Sequence, residues 1–385
     1  MRRKVCGFIL SLGLCILFSV IVSCSDVTDD QPQYSPKDTL EIYFLVDAAG
    51  KNTSRAYKYA GTEDESFVNL QDGDYRILLY NEEGKLIKTL SDSEIKFNGQ
   101  NVSNIYPITK KELNDSKILY AAAVVNWKSF GTTYAYPDFG TQSFPLLVNL
   151  WTSDLKFSIP GDQTWWPSKA EKRLIPMFGL TKVDIERNTE IIDYQPRLRI
   201  SIPVIRSLAK ISFQVSDDLY ESGFDMNECS MVNYNAGGFF IPNMSREGNK
   251  LKDNGEISVE DPSCPDQTRV STPLIFRDEK GGNGKKRLVV YLPEMDNSSF
   301  MTGMSNRPHI NASLAYEGEK FGEDKIIELS FYDSDGQVGN SSPLYNVVRN
   351  NFYEYTVVDI DKDQNLILKY TVCPWEKLET DIEFN

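Results

Sequence analysis

Apolar and polar residues alternate with a period of two through much of the chain from Tyr34 onward. Side chains two apart share a face only in an extended strand, so this pattern commits a segment to β-structure. It recurs, with short apolar runs, at Leu40–Val46, Tyr75–Tyr80, Ile118–Val125, Arg199–Val204, Ala209–Val215, Leu288–Leu292, Ile326–Phe331, Tyr353–Ile360 and Leu366–Val372. Residues that tolerate positive φ separate the runs at Asn81–Gly84, Gly281–Gly284 and Asp333–Gly336, where hairpins need them. One short helix is expected around Thr109–Asn114. Many strands, few helices and 18 prolines predict an all-β chain of antiparallel β-sandwiches. A length of 385 residues favours two domains over one core. The Pro-interrupted stretch Ile202–Arg206 marks the expected junction, dividing residues 39–205 from 206–385. No fixed-period repeat suggests a solenoid or propeller.

Charge and histidine content narrow the function. The chain carries 41 basic and 55 acidic residues, a net charge of −14. Such a surface gains nothing from phosphate counterion release, so nucleic acid is not an expected partner. His309 is the only histidine, which removes histidine-dependent triads and HExxH metal sites from consideration. No catalytic residue, metal or cofactor is assigned, and the chain is not expected to be an enzyme.

The amino terminus reads as an address. Arg2, Arg3 and Lys4 precede an apolar run from Val5 to Val22, and Ser23 and Cys24 follow. A basic start, a greasy stretch and a small residue describe a secretory signal over residues 1–23. About 18 apolar residues is borderline for a membrane span, and Ile21–Cys24 resembles a bacterial lipobox, cleaved before a cysteine that then carries lipid. Cys24 is therefore the expected lipidation site, tying the chain to the outer membrane at the cell surface. Residues 24–38 begin with an acidic run through Asp26, Asp29 and Asp30 and read as a tether. Of the remaining cysteines, Cys229 and Cys264 lie in Gly-, Asn- and Pro-rich surroundings and could pair, while Cys373 sits in a strand pattern as a buried thiol.

Candidate chemical motifs fall short individually. Gly281–Lys286 lacks the Ser or Thr of a phosphate loop and reads as a hairpin turn. Asp359, Asp361 and Asp363 have EF-hand spacing, but Gln364 and Tyr370 stand where Gly and Glu are required, so a charged turn is the better account. No pair among the acids stands out for glycoside hydrolysis. Trp165 and Trp166 could stack on a sugar or seal a domain edge, and sealing is favoured. His309 between Pro308 and Ile310 reads as structural.

Two segments near the ends carry more. The first strand puts Leu40, Ile42, Phe44 and Val46 on one face, which demands a core. A soft segment from Asp47 to Ala56 follows, with Arg55 just before the next element, a stretch a protease can fit. Lys51 and Lys58 lie close by. At the far end Leu378, Thr380, Ile382 and Phe384 share one face opposite Glu379, Asp381 and Glu383, so this amphipathic strand suits a groove.

The order of these features resembles the fimbrillins that build type V pili in Bacteroidales. The lipobox, first strand and Thr53–Ala56 are followed by Tyr75–Asn81. Ile175–Gly179 is similar to the family's Pro-Met-x-Gly segment, and Val204–Ile211 to its Arg-x-x-Ala-Lys strand. Tyr345–Asn350 with Tyr353 is similar to its Arg-Asn-x-x-Tyr strand, and Val372–Trp375 to its closing tryptophan segment. The resemblance implies two transthyretin-like sandwiches in tandem and a fimbrial subunit that supports adhesion. It implies an arginine-specific protease cutting between Arg55 and Ala56, which removes lipid and first strand together. Other fimbrial subunits would be the partners, a neighbour's Leu378, Ile382 and Phe384 replacing the lost strand in a head-to-tail polymer. The host or bacterial surface ligand is not specified. The alternative reading is a monomeric surface lipoprotein that binds glycans.

Overall fold

The computed structural model describes residues 39–48, 59–128, 144–152, 155–159, 166–253, 255, 257–264, 269–279, 284–298, 306–329 and 346–376. Strands dominate. Up to Arg206 they are β1 (Thr39–Ala48), β2 (Tyr59–Ala60), β3 (Tyr75–Tyr80), β4 (Leu86–Leu90), β5 (Tyr106–Thr109), β6 (Ile118–Val125), β7 (Lys156–Ser158), β8 (Met177–Asp184), β9 (Thr189–Ile192) and β10 (Gln195–Arg206). Then follow β11 (Ala209–Val215), β12 (Phe224–Val232), β13 (Tyr234–Asn235), β14 (Gly237–Phe239), β15 (Asn249–Leu251), β16 (Ile257–Val259) and β17 (Arg269–Val270). The last are β18 (Leu274–Ile275), β19 (Arg277–Asp278), β20 (Leu288–Leu292), β21 (His309–Tyr316), β22 (Glu319–Glu328), β23 (Asn351–Ile360) and β24 (Leu366–Glu376). Helices among the described residues are single turns, α1 (Glu63–Ser66), α2 (Leu147–Trp151), α3 (Ile185–Asn188) and α4 (Asp217–Glu221). None is long and apolar enough to cross a membrane.

Three sheets carry the fold. An eight-stranded sheet runs β4-β3-β6-β8-β10-β1-β5, with β9 also on β10. A six-stranded sheet runs β19-β20-β11-β23-β24-β2, and a four-stranded one β18-β12-β21-β22. The first sheet draws on residues before Ser207 and the other two on residues after it, except for β2. β7 pairs across the same point with β14. The expected all-β class is the class found. Most ladders are antiparallel, but β1 with β10, β11 with β23 and β2 with β24 are parallel. Parallel neighbours need long crossovers, so these three pairings join residues far apart in sequence. Close approach of β8 to β10 requires Gly179, where a Cβ would lie 2.5 Å from the Pro203 carbonyl oxygen.

Two local expectations need correction. Lys110–Asp115 forms turns, not a helix. Thr109 and Glu112 cap one turn, the Thr109 N–H donating to Glu112 Oε2 at 2.8 Å and the Glu112 N–H to Thr109 Oγ1 at 3.1 Å. Positive φ at Asn114 (53°) and Asp115 (52°) then ends it. The strand expected to begin at Ile326 instead begins at Glu319, because a two-residue turn at Glu317 and Gly318 folds it back on β21; it runs to Glu328, and Ser330 and Phe331 of the expected span lie outside the described residues.

Candidate functional site

β1 is the element that most resembles a removable part. Its residues alternate without a break between half-buried and buried, with Ile42, Phe44 and Val46 fully enclosed and Leu40 and Ala48 nearly so. Parallel pairing sets Ile42 against Leu198, Phe44 against Ile200 and Val46 against Ile202. On the other edge β5 covers Thr39–Ile42 alone. Beyond it Ser103 takes over, its N–H donating to the Phe44 carbonyl and the Phe44 N–H to Ser103 Oγ, each at 2.8 Å. The Val46 N–H donates to the Asn101 carbonyl at 3.1 Å. Outside the core face, Arg197 Nε meets Glu41 Oε2 at 2.8 Å. Four large apolar side chains at roughly 1.5–3 kcal/mol each contribute about 6–12 kcal/mol as an upper bound. A slip of one residue would turn all of them outward, so the register is fixed by burial.

The chain returns at β2, and there it is fastened. β2 lies parallel to the end of β24, Tyr59 against Trp375 and Ala60 against Glu376. Gly61 follows with no room for a side chain, since a Cβ would sit 2.7 Å from Trp375 Nε1. The next turn, α1, begins with a capping box in which the Glu65 N–H donates to Thr62 Oγ1 and the Thr62 N–H to Glu65 Oε2 at 2.6 Å. The other Glu65 oxygen lies 2.6 Å from Lys210 Nζ and accepts a hydrogen bond from the Tyr291 hydroxyl. Lys210 also meets Glu279 Oε1 at 2.6 Å. Burial by itself would push the Glu65 carboxyl up; the Lys210 ammonium and the hydrogen bonds from Lys210, Tyr291 and Thr62 outweigh it and hold the group below its ordinary value.

Arg206 completes the fastening. Its Nε donates to the Glu65 carbonyl at 2.9 Å and its Nη2 to Ser66 Oγ at 2.8 Å. Nη1 reaches the Trp375 carbonyl at 2.9 Å and Asn350 Oδ1 at 3.1 Å, and the guanidinium lies 4.6 Å from the Trp375 ring centre. Glu63 and Asp64 are held from outside by Lys169, through Nζ at 2.7 Å and the backbone N–H at 2.8 Å. Every residue of α1 therefore has a partner distant in sequence. A second buried pair, Arg349 with Glu294 at 2.7 Å, ties β23's approach to the Phe239 and Phe240 carbonyls.

Residues named in the sequence by family resemblance gain physical roles here. Arg206, Lys210, Asn350 and Trp375 come from three separate segments and meet around α1. Pro176, from a fourth, accepts a hydrogen bond from the Ser207 N–H at 2.8 Å, and Gly179 admits β10. Glu65, Tyr291 and Glu279 were not singled out by the sequence, and their signal was faint. Thr62 and Glu65 at capping-box spacing mark a helix start, but nothing local marks a buried acid.

The other candidates settle into ordinary roles. Trp166 packs edge-on against Tyr291 at 5.0 Å, a sealing contact at the same cluster. His309 opens β21 with Nδ1 3.0 Å from the Arg307 carbonyl oxygen. Asp361 accepts backbone N–H groups from Asp363 and Asn365 at 2.8 Å, closing the turn between β23 and β24. No bridge joins Cys229 and Cys264. Both are free thiols, Cys229 buried on β12 and Cys264 with its Sγ donating to the Glu294 carbonyl at 3.2 Å. Cys373 is a buried free thiol. Among the described residues no group of three or more His, Cys, Asp or Glu is placed to hold a metal ion. Cys24, Arg55, Ala56, Trp165, Leu378, Ile382 and Phe384 lie outside the described residues.

No family model matches the chain, and no curated protein does. Solved structures do. The chain is similar to the tip fimbrial protein Mfa3 of Porphyromonas gingivalis with a C-terminal truncation, at 14% identity over 87% of this chain and 100% of that one, with a TM-score of 0.49. It is also similar to the fimbrial anchor protein Mfa2 of the same organism, at 8% identity over 88% of this chain and 98% of that one, with a TM-score of 0.32. Identities and TM-scores this low assign no function by themselves. Site and sequence converge on β1, a core strand from the start of the described chain, and on α1, a single turn bolted in place just downstream.

Proposed function

We propose that this protein is a cell-surface fimbrial subunit with an adhesive role, non-catalytic, whose first strand is exchanged for a strand from a neighbour. The observation that carries the reading is the seat of β1, which is core-forming yet flanked by residues 49–58 and then by an independently fastened α1. The order of fimbrillin-like segments in the sequence supports it. In this scheme lipidation at Cys24 brings the precursor to the outer membrane. An arginine-specific protease cuts after Arg55, and β1 leaves with the lipid. Its departure bares the inward faces of Leu198, Ile200 and Ile202 and the open edge of β10. An exposed strand edge over bare core side chains binds an extended segment by strand addition. Leu378, Ile382 and Phe384 of a neighbour then contribute about 5–9 kcal/mol before ordering costs. The contact is heterologous, so it propagates as a filament.

The test uses the full chain and its Arg55→Ala variant, each treated with an arginine-specific protease. Size and electron microscopy should show chains of subunits from the first and none from the second. Equal polymer from Arg55→Ala, or a cut protein that stays monomeric with residues 378–385 intact, refutes the scheme.

A further inference from the structure

The eight-stranded sheet carries, at its far end from β1, an open cleft of about 260 Å³. Its walls are the β3–β4 turn, with Glu82 and Glu83, the outer side of β6, with Tyr120, and α2 with the residue before it, through Trp151, Val148 and Leu146. Those walls are stitched together. The Leu147 N–H donates to the Gly84 carbonyl at 2.7 Å, the Leu86 N–H to the Pro145 carbonyl at 2.9 Å, and Asn81 Oδ1 accepts from the Lys85 N–H at 2.8 Å. Leu146 and Val148, 40% and 46% exposed, give the rim an apolar side.

Several rings elsewhere in the protein lie under its own cations. Arg76 and Lys128 lie over Trp127, Lys156 over Phe239, Lys169 over Phe67, Arg206 over Trp375 and Arg287 over Phe352, at 4.6–5.8 Å from the ring centres. Among the described residues neither Tyr120 nor Trp151 has a ring or cation partner, and the Glu82 carboxylate has no ion pair. Glu83 is paired with Lys85 at 2.7 Å, both well exposed. The cleft thus holds two aromatic rings, apolar walls and a carboxylate without a counter-charge. A guanidinium or ammonium on an aliphatic stem satisfies all three, its head on the ring faces and the acid and its stem along Leu146 and Val148.

We infer that this cleft is a docking site for a basic side chain, Arg or Lys, of a partner protein. Its volume suits one side chain, being below the range of drug-sized pockets. Carboxylates offer a sugar acceptors only, whereas they offer a cation both hydrogen bonds and charge. The site lies away from β1 and depends on neither cleavage nor strand exchange.

Indole N–H signals of the 15N-labelled full chain, which has five tryptophans, provide the readout, with Trp151→Phe used to assign Trp151. Titration with the peptide Ac-Gly-Arg-Gly-NH2 should move the Trp151 signal saturably and leave the other four in place. The norleucine analogue should not. Glu82→Gln should weaken binding about two- to fivefold, and raising sodium chloride from about 0.05 to about 0.5 M should weaken it further. An unmoved Trp151 signal refutes the site. Equal shifts with the norleucine peptide make it a plain apolar hollow, and saturation by methyl galactoside with none by the Arg or Lys peptides makes it a sugar site; either overturns the inference.

Discussion

Replacing Lys210 by methionine tests whether α1 is held from inside. The change keeps the length and apolar stem of the side chain and removes its charge. In the folded protein Lys210 is fully buried, with Glu65 and Glu279 each 2.6 Å from Nζ. Without the ammonium, Glu65 keeps hydrogen bonds from Tyr291 and the Thr62 N–H but loses its counter-charge in a site where it is 1% exposed. Removing one partner of a buried ion pair costs about 3–5 kcal/mol, because the other charge is left uncompensated. Lys210→Met should therefore lose about that much in urea unfolding with the slope unchanged. Glu65→Gln with Lys210→Met should recover a large part of it, since neither charge is then stranded. The pH profile supplies the sign. Glu65 is depressed in the folded state, so its contribution is present above the unfolded carboxyl value and is lost as pH falls through the folded one. Stability of the wild type should thus fall in acid more steeply than that of the double variant. Amide exchange at Glu63–Phe67 reports locally, and should rise in Lys210→Met beyond the global loss. A cost below about 1 kcal/mol, with exchange at α1 unchanged, would show that the buried charges do not hold this turn and would remove the reasoning.

Phe44→Ala should cost about 3–5 kcal/mol in the same assay, as a fully enclosed ring is cut back in the middle of β1; a loss under about 1 kcal/mol would mean that β1 is not part of the core. Asp74 is pushed up to about 6, first by burial, against hydrogen bonds from the Lys128 N–H and Asn69. A raised acid binds its proton more tightly when folded. Its contribution is therefore full below about pH 4 and lost as pH rises through about 6, at most about 3 kcal/mol. Asp74→Asn should flatten that part of the stability profile, and an unaltered profile would rule out Asp74 as its source.

Much of the scaffold was legible because strand periodicity is local. Tyr75–Tyr80, Ile118–Val125, Ala209–Val215 and Leu288–Leu292 occur with the expected bounds, since each is paired with a strand on both sides and its own pattern decides its face. The helix at Thr109–Asn114 failed for an equally local reason, the left-handed residues that follow its single capped turn. The start of β22 was misplaced because its charged leading part, Glu319–Lys325, hides the strand from a search for apolar alternation. An outer strand of a sheet tolerates such charge and gains protection from it.

By itself the sequence determined that the chain is β-rich, which face of Thr39–Ala48 must be buried, and that catalysis by a histidine pair is out of reach. Only tertiary structure decided that β1 lies parallel to β10 and that Arg206, Lys210, Asn350 and Trp375 close on one turn of helix. The reason is physical. Burial of a strand face is a property of neighbours along the chain, whereas the pairing of a buried charge depends on which distant segments arrive beside it. Glu65 reads in the sequence as one more surface acid, and folding alone makes it the anchor of its turn.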